Sequence, residues 1–321
     1  LGILYRRKNG KGEWAGGAMY YLRDGLGSFR GCKQLGKVLG LLFSIFCIFA
    51  SFGIGNMGQI NSIATNMRAV FSIPNWVTGV FLMAVAALVV VGGLKRIAAG
   101  TEKLVPVMAL LYVVGALAIV AMNYRSILPA FASIFKGAFA MKAVGGGIVG
   151  SGVKAAVTWG MKRGVFSNEA GLGSLAGLHG EAKEEKHLAV NGAGDQGGYG
   201  TEEIQGMWAI FEVFFDTIVS CTLTALVILC VAGSGTASEF GAENGASLTS
   251  LCFFTALGSP GGYAVAVCVV LFAFSTIIAW YYMGRQAAEY LGGKISGKIP
   301  AVYAVGYLLA AFLGCLGAME T

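Results

Sequence analysis

Charge is scarce in this chain. Only 12% of its 321 residues are Asp, Glu, Lys or Arg, about half the usual share in a soluble domain. Hydrophobic residues make up 56%, more than a water-soluble fold of this length could hide. The shortage of charge therefore excludes the ordinary soluble enzyme or binding domain. Histidine is scarcer still: His179 and His187 are the only two, both beside a polar stretch. That argues against a histidine-ligated metal enzyme within a membrane. The seven cysteines form no CxxC pair and most lie in apolar runs, which speaks against a disulfide framework or a zinc site.

What fills the chain instead is long apolar runs. Several reach the roughly 20 residues that cross a bilayer. Spans are expected at 38–64, 76–94, 104–122, 207–232, 262–284 and 299–318. The expected fold class is all-α, a polytopic membrane protein with a single membrane domain over 1–321. A basic loop occupies 5–37, Lys95 and Arg96 begin another loop before the third span, and 180–204 reads as a polar, glycine-rich loop. Ile127, Leu128, Phe131, Ile134, Phe135 and Ala138 recur at three-four spacing. Flanked by Arg125, Lys136 and Lys142, that helix is too polar to span and is expected at the interface. A short amphipathic segment is expected at 248–257. The chain opens at Leu1 without Met and closes directly after an apolar helix, so a fragment missing something at both ends is the expectation.

Charge also orients the spans. With the first loop placed on the cytoplasmic side, sixteen of the 23 Lys and Arg fall in inner loops and four in outer ones. Lys154, Lys162 and Arg163 lie in a glycine-rich region, 143–180, that must then cross once from outside to inside. The asymmetry matches the positive-inside bias. The formal charge of +7 therefore needs no nucleic-acid partner, because basic inner loops face anionic lipid.

The crossing region carries the most unusual chemistry. Gly145 to Gly150 matches GxGxxG, but it follows no strand and opens no βαβ unit, so tight helix packing is the better reading. "RGVFSNEAGLG", Arg163 to Gly173, sets an arginine, a serine, an asparagine and a glutamate among glycines. A broken helix at mid-membrane exposes N–H groups that suit a carboxylate and carbonyls that suit a cation. Small-residue helix packing around a buried Arg163–Glu169 pair is the plain alternative. Intramembrane ionisable residues are functional by default, which favours binding.

Three further constellations stand out. Phe52, Asn56 and Gln59, at four-three spacing, share one face of a regular helix. An aromatic ring with two amides suits a small zwitterion; amide bonding between helices is the alternative. Ser275 and Thr276 are adjacent hydroxyls that can help hold Na+, or bond back to their own helix. Trp280, one turn beyond Thr276, could cap a pocket. Glu212 and Asp216 lie i, i+4 in an apolar span; a relay or an ion site is one reading, and pairing with Lys or Arg of the crossing region is the expectation. Neither has a nucleophile or metal partner in view, which counts against a membrane-embedded enzyme.

"RGVFSNEAGLGS" (163–174) closely resembles the signature of the alanine or glycine:cation symporter family, the sodium:alanine symporters. So do "GEWAGGAMYYLRDGLG" (12–27), "FGIGNMGQINS" (52–62), "GGLKRIAAGTEKLVPVMALLY" (92–112), "FFDTIVSCTLTALVIL" (214–229) and "LFAFSTIIAWYYMGRQAAEYLGG" (271–293), in order along nearly the whole chain. The resemblance implies a LeuT-type fold of the APC superfamily, with inverted five-helix repeats. It also implies Na+-coupled symport of alanine, glycine or a similar small amino acid across the plasma membrane, with no organic cofactor. It places Phe52, Asn56 and Gln59 of the third core helix, and Phe166 and Ser167 near the break of the sixth, at the substrate. Ser275 and Thr276 of the eighth would hold Na+, and Trp280 would close the substrate side. Arg163, Glu169 and Asp216 would serve as structural or gating charges. The family's first core helix, most of the second and the last helices have no counterpart here, so these 321 residues are not expected to transport alone. The loop at 180–204 is longer than the family's usual connection between the sixth and seventh helices, which a surface loop tolerates.

Overall fold

The computed structural model describes residues 1–8, 12, 14–92, 94–139, 158, 160, 164, 167–180, 182, 200–233, 245–292 and 298–316, with the side chains of 89–104 and 137–139 left aside. Strands β1 (Arg7–Lys8) and β2 (Trp14–Ala15) pair antiparallel, Arg7 opposite Ala15 and Lys8 opposite Trp14. Helices follow: α1 (Ala18–Asp24), α2 (Lys33–Phe52), α3 (Gln59–Phe71), α4 (Asn75–Gly92), α5 (Leu94–Met122) and α6 (Tyr124–Phe139). After these come α7 (Leu175–His179), α8 (Thr201–Phe214), α9 (Cys221–Val231), α10 (Ala246–Gly292) and α11 (Ile299–Leu316). π-helical segments interrupt this series at Gly53–Gly58, between α2 and α3, and at Phe215–Ser220, between α8 and α9.

Among the described residues, five stretches are long and apolar enough to cross a membrane: Lys33–Phe71, Val105–Met122, Thr201–Val231, Ala246–Gly292 and Ile299–Leu316. Their surfaces are inverted relative to a soluble protein. On α2, Phe46 and Phe49 are 65% and 69% exposed, while Ser44 and Ser51 are fully buried. Apolar patches of that extent are stable only against lipid or a partner. The chain is therefore membrane-embedded.

The expected loops differ from the observed backbone in two places. Residues 95–103, expected as a loop, continue helix α5 from Leu94. Lys, Arg, Ala and Glu are good helix formers, so the charge that ends an apolar run does not end the helix. The basic stretch 5–37 is also ordered, holding the β1–β2 hairpin, α1 and a 3-10 turn at Leu26–Ser28. In contrast, the short segment expected at 248–257 ends where α10 kinks, at Gly258 with φ 72°. Glycine takes that angle at little steric cost, and Pro260 just beyond lacks an N–H to continue the ladder.

The chain forms two compact units. One comprises Leu1–Gly53, Val165–Asp216 and Ala279–Tyr307; the other comprises Ile54–Gly164, Thr217–Ile278 and Leu308–Thr321. In the first, α1 lies against α2 at close range. A Cβ on Gly36 would stand 2.5 Å from the Leu22 carbonyl oxygen, and one on Gly40 would stand 2.8 Å from that of Met19. Small residues let helix backbones approach where lipid supplies no hydrophobic drive. Cys47, Trp280, Met283 and Ala287 form this unit's core, with Phe43 and Leu178 packed on it. Beside it, Ser51 Oγ and the Tyr303 hydroxyl lie 2.9 Å apart.

In the second unit, α5, α6, α9 and the first part of α10 pack around Ile119, Val227, Cys230, Cys252 and Phe253. The Tyr112 hydroxyl hydrogen-bonds Thr224 Oγ1 within this core. Helix α6 turns Ala130 inward and leaves Leu128 81% exposed, the two-faced pattern expected of an amphipathic helix. Buried amides tie other segments: Asn66 Nδ2 donates to the Ala266 carbonyl at 3.1 Å, and Asn61 Nδ2 to that of Gly314 at 3.4 Å.

Candidate functional site

The polar stretch singled out in the sequence does interrupt a helix. Ser167 and Asn168 are helical, Glu169 has φ 57°, residues 170–173 form turns, and Gly173 has φ 75° before α7 begins. Glycine explains the second positive angle; the first is uncommon for a side chain like glutamate and costs of order 1 kcal/mol. The turn is held by i→i−3 bonds, Leu172 N to the Glu169 carbonyl at 3.2 Å and Gly173 N to that of Ala170 at 3.3 Å. Asn168 Oδ1 accepts from Ala170 N at 3.1 Å, an Asx turn that caps the broken end. The break therefore spans Glu169–Gly173. Arg163 and Phe166, also expected at this site, lie outside the described residues, and so does the Gly145–Gly150 run.

Each polar side chain of the break meets a specific partner. Ser174 Oγ donates toward Glu169, 3.0 Å from its carboxylate and 3.3 Å from its carbonyl oxygen. The Trp280 indole N–H is buried without a hydrogen-bond acceptor of normal geometry among the described residues, and the Glu169 carboxylate interacts with it. Ser167 Oγ donates to Asp216 Oδ2 at 2.6 Å. His179, closing α7, has Nδ1 2.8 Å from Gln205 Oε1 and Nε2 3.2 Å from Glu212 Oε2. Among the described residues, then, Glu212 meets a histidine and Asp216 a hydroxyl; the expected pairing with Lys or Arg of the crossing region falls on residues outside that set. Lys154 and Lys162 lie outside the described residues. Gln205 and Glu212 stand seven apart, on one stripe of α8, and Asp216 follows at the start of the π-helical segment. That spacing was the signal that could have found the set.

Phe52 is half-buried at the end of α2, with its ring centroid 5.3 Å from Tyr303 and 6.2 Å from Tyr307. Trp280 is 2% exposed, inside the core with Cys47 and Met283. Beside the break lies a cavity of about 220 Å³, lined by Tyr21, Ala170, Gly173, His179, Glu202 and Gln205 among others.

The remaining expected residues belong to the second unit. Asn56 is fully buried inside the π-helical segment, and Gln59, half-buried, opens α3. The shared face read for Phe52, Asn56 and Gln59 assumed regular α spacing. Gly53, Gly55 and Gly58 admit an i→i+5 turn between them, so that spacing does not hold; such π segments are frequent at functional sites. Ser275 Oγ and Thr276 Oγ1 both donate to the Phe272 carbonyl, at 2.7 and 3.1 Å. Their protons are therefore spent on their own helix, while the oxygen lone pairs stay available to a cation. Among the described residues no group of three or more His, Cys, Asp or Glu could hold a metal ion.

Comparison with known proteins locates the chain. A model of the family described as the sodium:alanine symporter family matches residues 1–321. The sodium/alanine symporter AgcS of Methanococcus maripaludis is 40% identical over 319 residues, 99% of this chain and 64% of that protein. A sodium/proton-dependent alanine carrier protein of Bacillus sp. strain PS3 is 36% identical over 264 residues, 78% of this chain and 55% of that protein. The amino-acid carrier protein AlsT of Bacillus subtilis is 31% identical over 321 residues, 61% of its length. The chain thus spans less than two thirds of these relatives.

Proposed function

Since this chain belongs to the sodium:alanine symporter family, we propose that it forms the greater part of a secondary active transporter that brings a small neutral amino acid, alanine or glycine, into the cell together with Na+ by alternating access. The break at Glu169–Gly173 carries this reading. Its turn bonds are few and long. An interrupted helix in an apolar chain presents the N–H and C=O groups that a zwitterion and its coupling ion require. The inverted-repeat LeuT-type fold is proposed with it, as is a plasma-membrane location with the basic loops in the cytoplasm. The positive-inside count supports that orientation.

Asn56, Gln59, Phe52, Phe166, Ser167 and Trp280 are the residues we assign to substrate, and Ser275 and Thr276 those assigned to Na+. Arg163, Glu169 and Asp216 are assigned as structural or gating charges. Uptake of labelled alanine by the full-length parent protein, with and without a Na+ gradient and against a panel of small amino acids, tests the assignment. Na+-driven accumulation of alanine or glycine is the expected result; accumulation indifferent to Na+ removes the coupling claim. A second reading, coupling to H+, draws on the relative named a sodium/proton-dependent alanine carrier. It predicts that Glu169→Gln abolishes transport, whereas a purely Na+-coupled protein retains it.

A further inference from the structure

His179 is one of only two histidines in the chain, and nothing in the reading above uses it. Its ring is engaged at both nitrogens, at 2.8 Å by Gln205 Oε1 and at 3.2 Å by Glu212 Oε2. Both partners stand on α8, while His179 ends α7, directly after the break. The other end of the break is tied close by: Ser167 bonds Asp216, at the start of the π-helical segment that follows α8. The stretch from Ser167 to His179 is therefore fastened at both ends to neighbouring carboxylates. Only the histidine tie can change its charge near neutral pH.

The chemistry of that tie depends on one proton. A carboxylate only accepts, so Nε2 carries a hydrogen toward Glu212. Nδ1 then has two options. Protonated, it donates to Gln205 Oε1, and both bonds are made by an imidazolium facing a carboxylate. Unprotonated, it accepts, and the Gln205 amide must turn to offer its NH2 instead. The cavity of about 220 Å³ beside the ring holds several water volumes, enough to deliver the proton. Among the described residues, the titratable groups that face His179 are Glu212 on α8, and Glu202 and Tyr21 on the cavity wall.

We propose that His179 is a positioning residue for transport, a proton-sensitive clasp that fixes the segment after the helix break to α8 through Glu212 and Gln205. This rests on the transporter reading, and the test separates the two. The full-length parent is labelled with ring-15N histidine, and the His179 signal is assigned by its loss in His179→Asn. The titration midpoint of that signal is expected to fall by about one pH unit, a tenfold weaker proton affinity, in Glu212→Gln, which removes the charged partner. In Glu202→Gln it is expected to stay in place.

The second arm is alanine uptake against pH. Wild type is expected to show a step at the His179 midpoint that is absent in His179→Asn, with the Na+ concentration for half-maximal uptake unchanged. Asn keeps one donor and one acceptor but does not titrate, so loss of the step alone marks the proton and not the packing. An equal midpoint in Glu212→Gln, or an unaltered pH profile in His179→Asn, overturns the clasp. Should wild type carry no amino acid at all, the transporter reading fails, and the resonance titration still decides whether the clasp exists.

Discussion

At the helix break, polar side chains reach across to another helix: Ser167 to Asp216 at 2.6 Å and His179 to Glu212 at 3.2 Å. In α10 the two hydroxyls do the opposite, Ser275 and Thr276 both returning to the Phe272 carbonyl of their own helix. Both arrangements give a polar group a partner within an apolar chain. They differ in what they fasten. A bond back to i−3 or i−4 holds nothing but its own turn. A bond to a carboxylate on a second helix fixes one segment against another and gains strength from the charge. The break needs such ties because its own turn supplies only weak i→i−3 bonds.

Removing the longer-range tie is the sharpest way to break this contrast. Asp216→Ala deletes the acceptor of Ser167 and is expected to cost about 1.5–3 kcal/mol, read as a lowered unfolding midpoint of the purified full-length protein. Ser167→Ala is expected to cost less. The double variant should fall short of the sum, because the two residues share one bond. Full additivity would mean that the tie contributes nothing. A smaller effect is expected at Gly173, where φ is 75° and a Cβ finds ordinary contacts, 3.4 Å to the Tyr21 hydroxyl and 3.5 Å to Phe43. Gly173→Ala therefore pays only for backbone strain, about 1–2 kcal/mol. A loss well above that would place the strain elsewhere.

Some of this architecture is legible in the sequence and some is not, for physical reasons. Apolar run length marks the spans, since hydrocarbon thickness sets helix length. Glycine among polar residues marks the break, and Gly258 with Pro260 marks the kink of α10. The extension of α5 through 95–103 is hidden because charge reports where lipid ends, not where a helix ends. Partner choice is hidden too. That Asp216 meets Ser167, and Glu212 meets His179, depends on the mutual register of two segments that lie far apart in sequence. No local pattern encodes that register. The π-helical turn at Gly53–Gly58 shifts which side chains share a face, so the stripe through Asn56 could be counted correctly and still be misplaced.

The hydroxyl pair is expected to respond weakly in stability and strongly in function. Ser275→Ala removes one local bond and should cost below about 1 kcal/mol. If the freed lone pairs hold Na+, the same variant raises the Na+ concentration for half-maximal uptake several-fold. Gln59→Ala should weaken apparent alanine affinity and leave the Na+ response in place. Wild-type behaviour in both variants would overturn the site assignment.

The smallest effect belongs to Asp24, a carboxylate outside the membrane-spanning stretches. Asp24 accepts from Arg23 at 2.9 and 3.0 Å and from Arg7 at 2.8 Å, but its side chain is 27% exposed and that of Arg7 58%. The hydrogen bond from the Arg23 guanidinium, opposed by partial burial and reinforced by both arginine charges, holds its carboxyl below the usual carboxylate range. A depressed acid stabilises the folded state once pH exceeds the unfolded carboxylate value, near 4, and loses that contribution as pH falls through the folded value. Exposure and salt screening keep the worth of such a pair within about 1 kcal/mol. Asp24→Asn is thus expected to leave the unfolding midpoint nearly unchanged only once pH has fallen well below 4, through the folded value, and to lower it slightly at pH 7 in low salt, with the difference shrinking as salt rises. Asp216→Ala should show its larger loss at pH 7 with little dependence on salt, because its partner is a neutral hydroxyl. A salt response of equal size at the two positions would erase the distinction between a screened surface pair and a tie between helices.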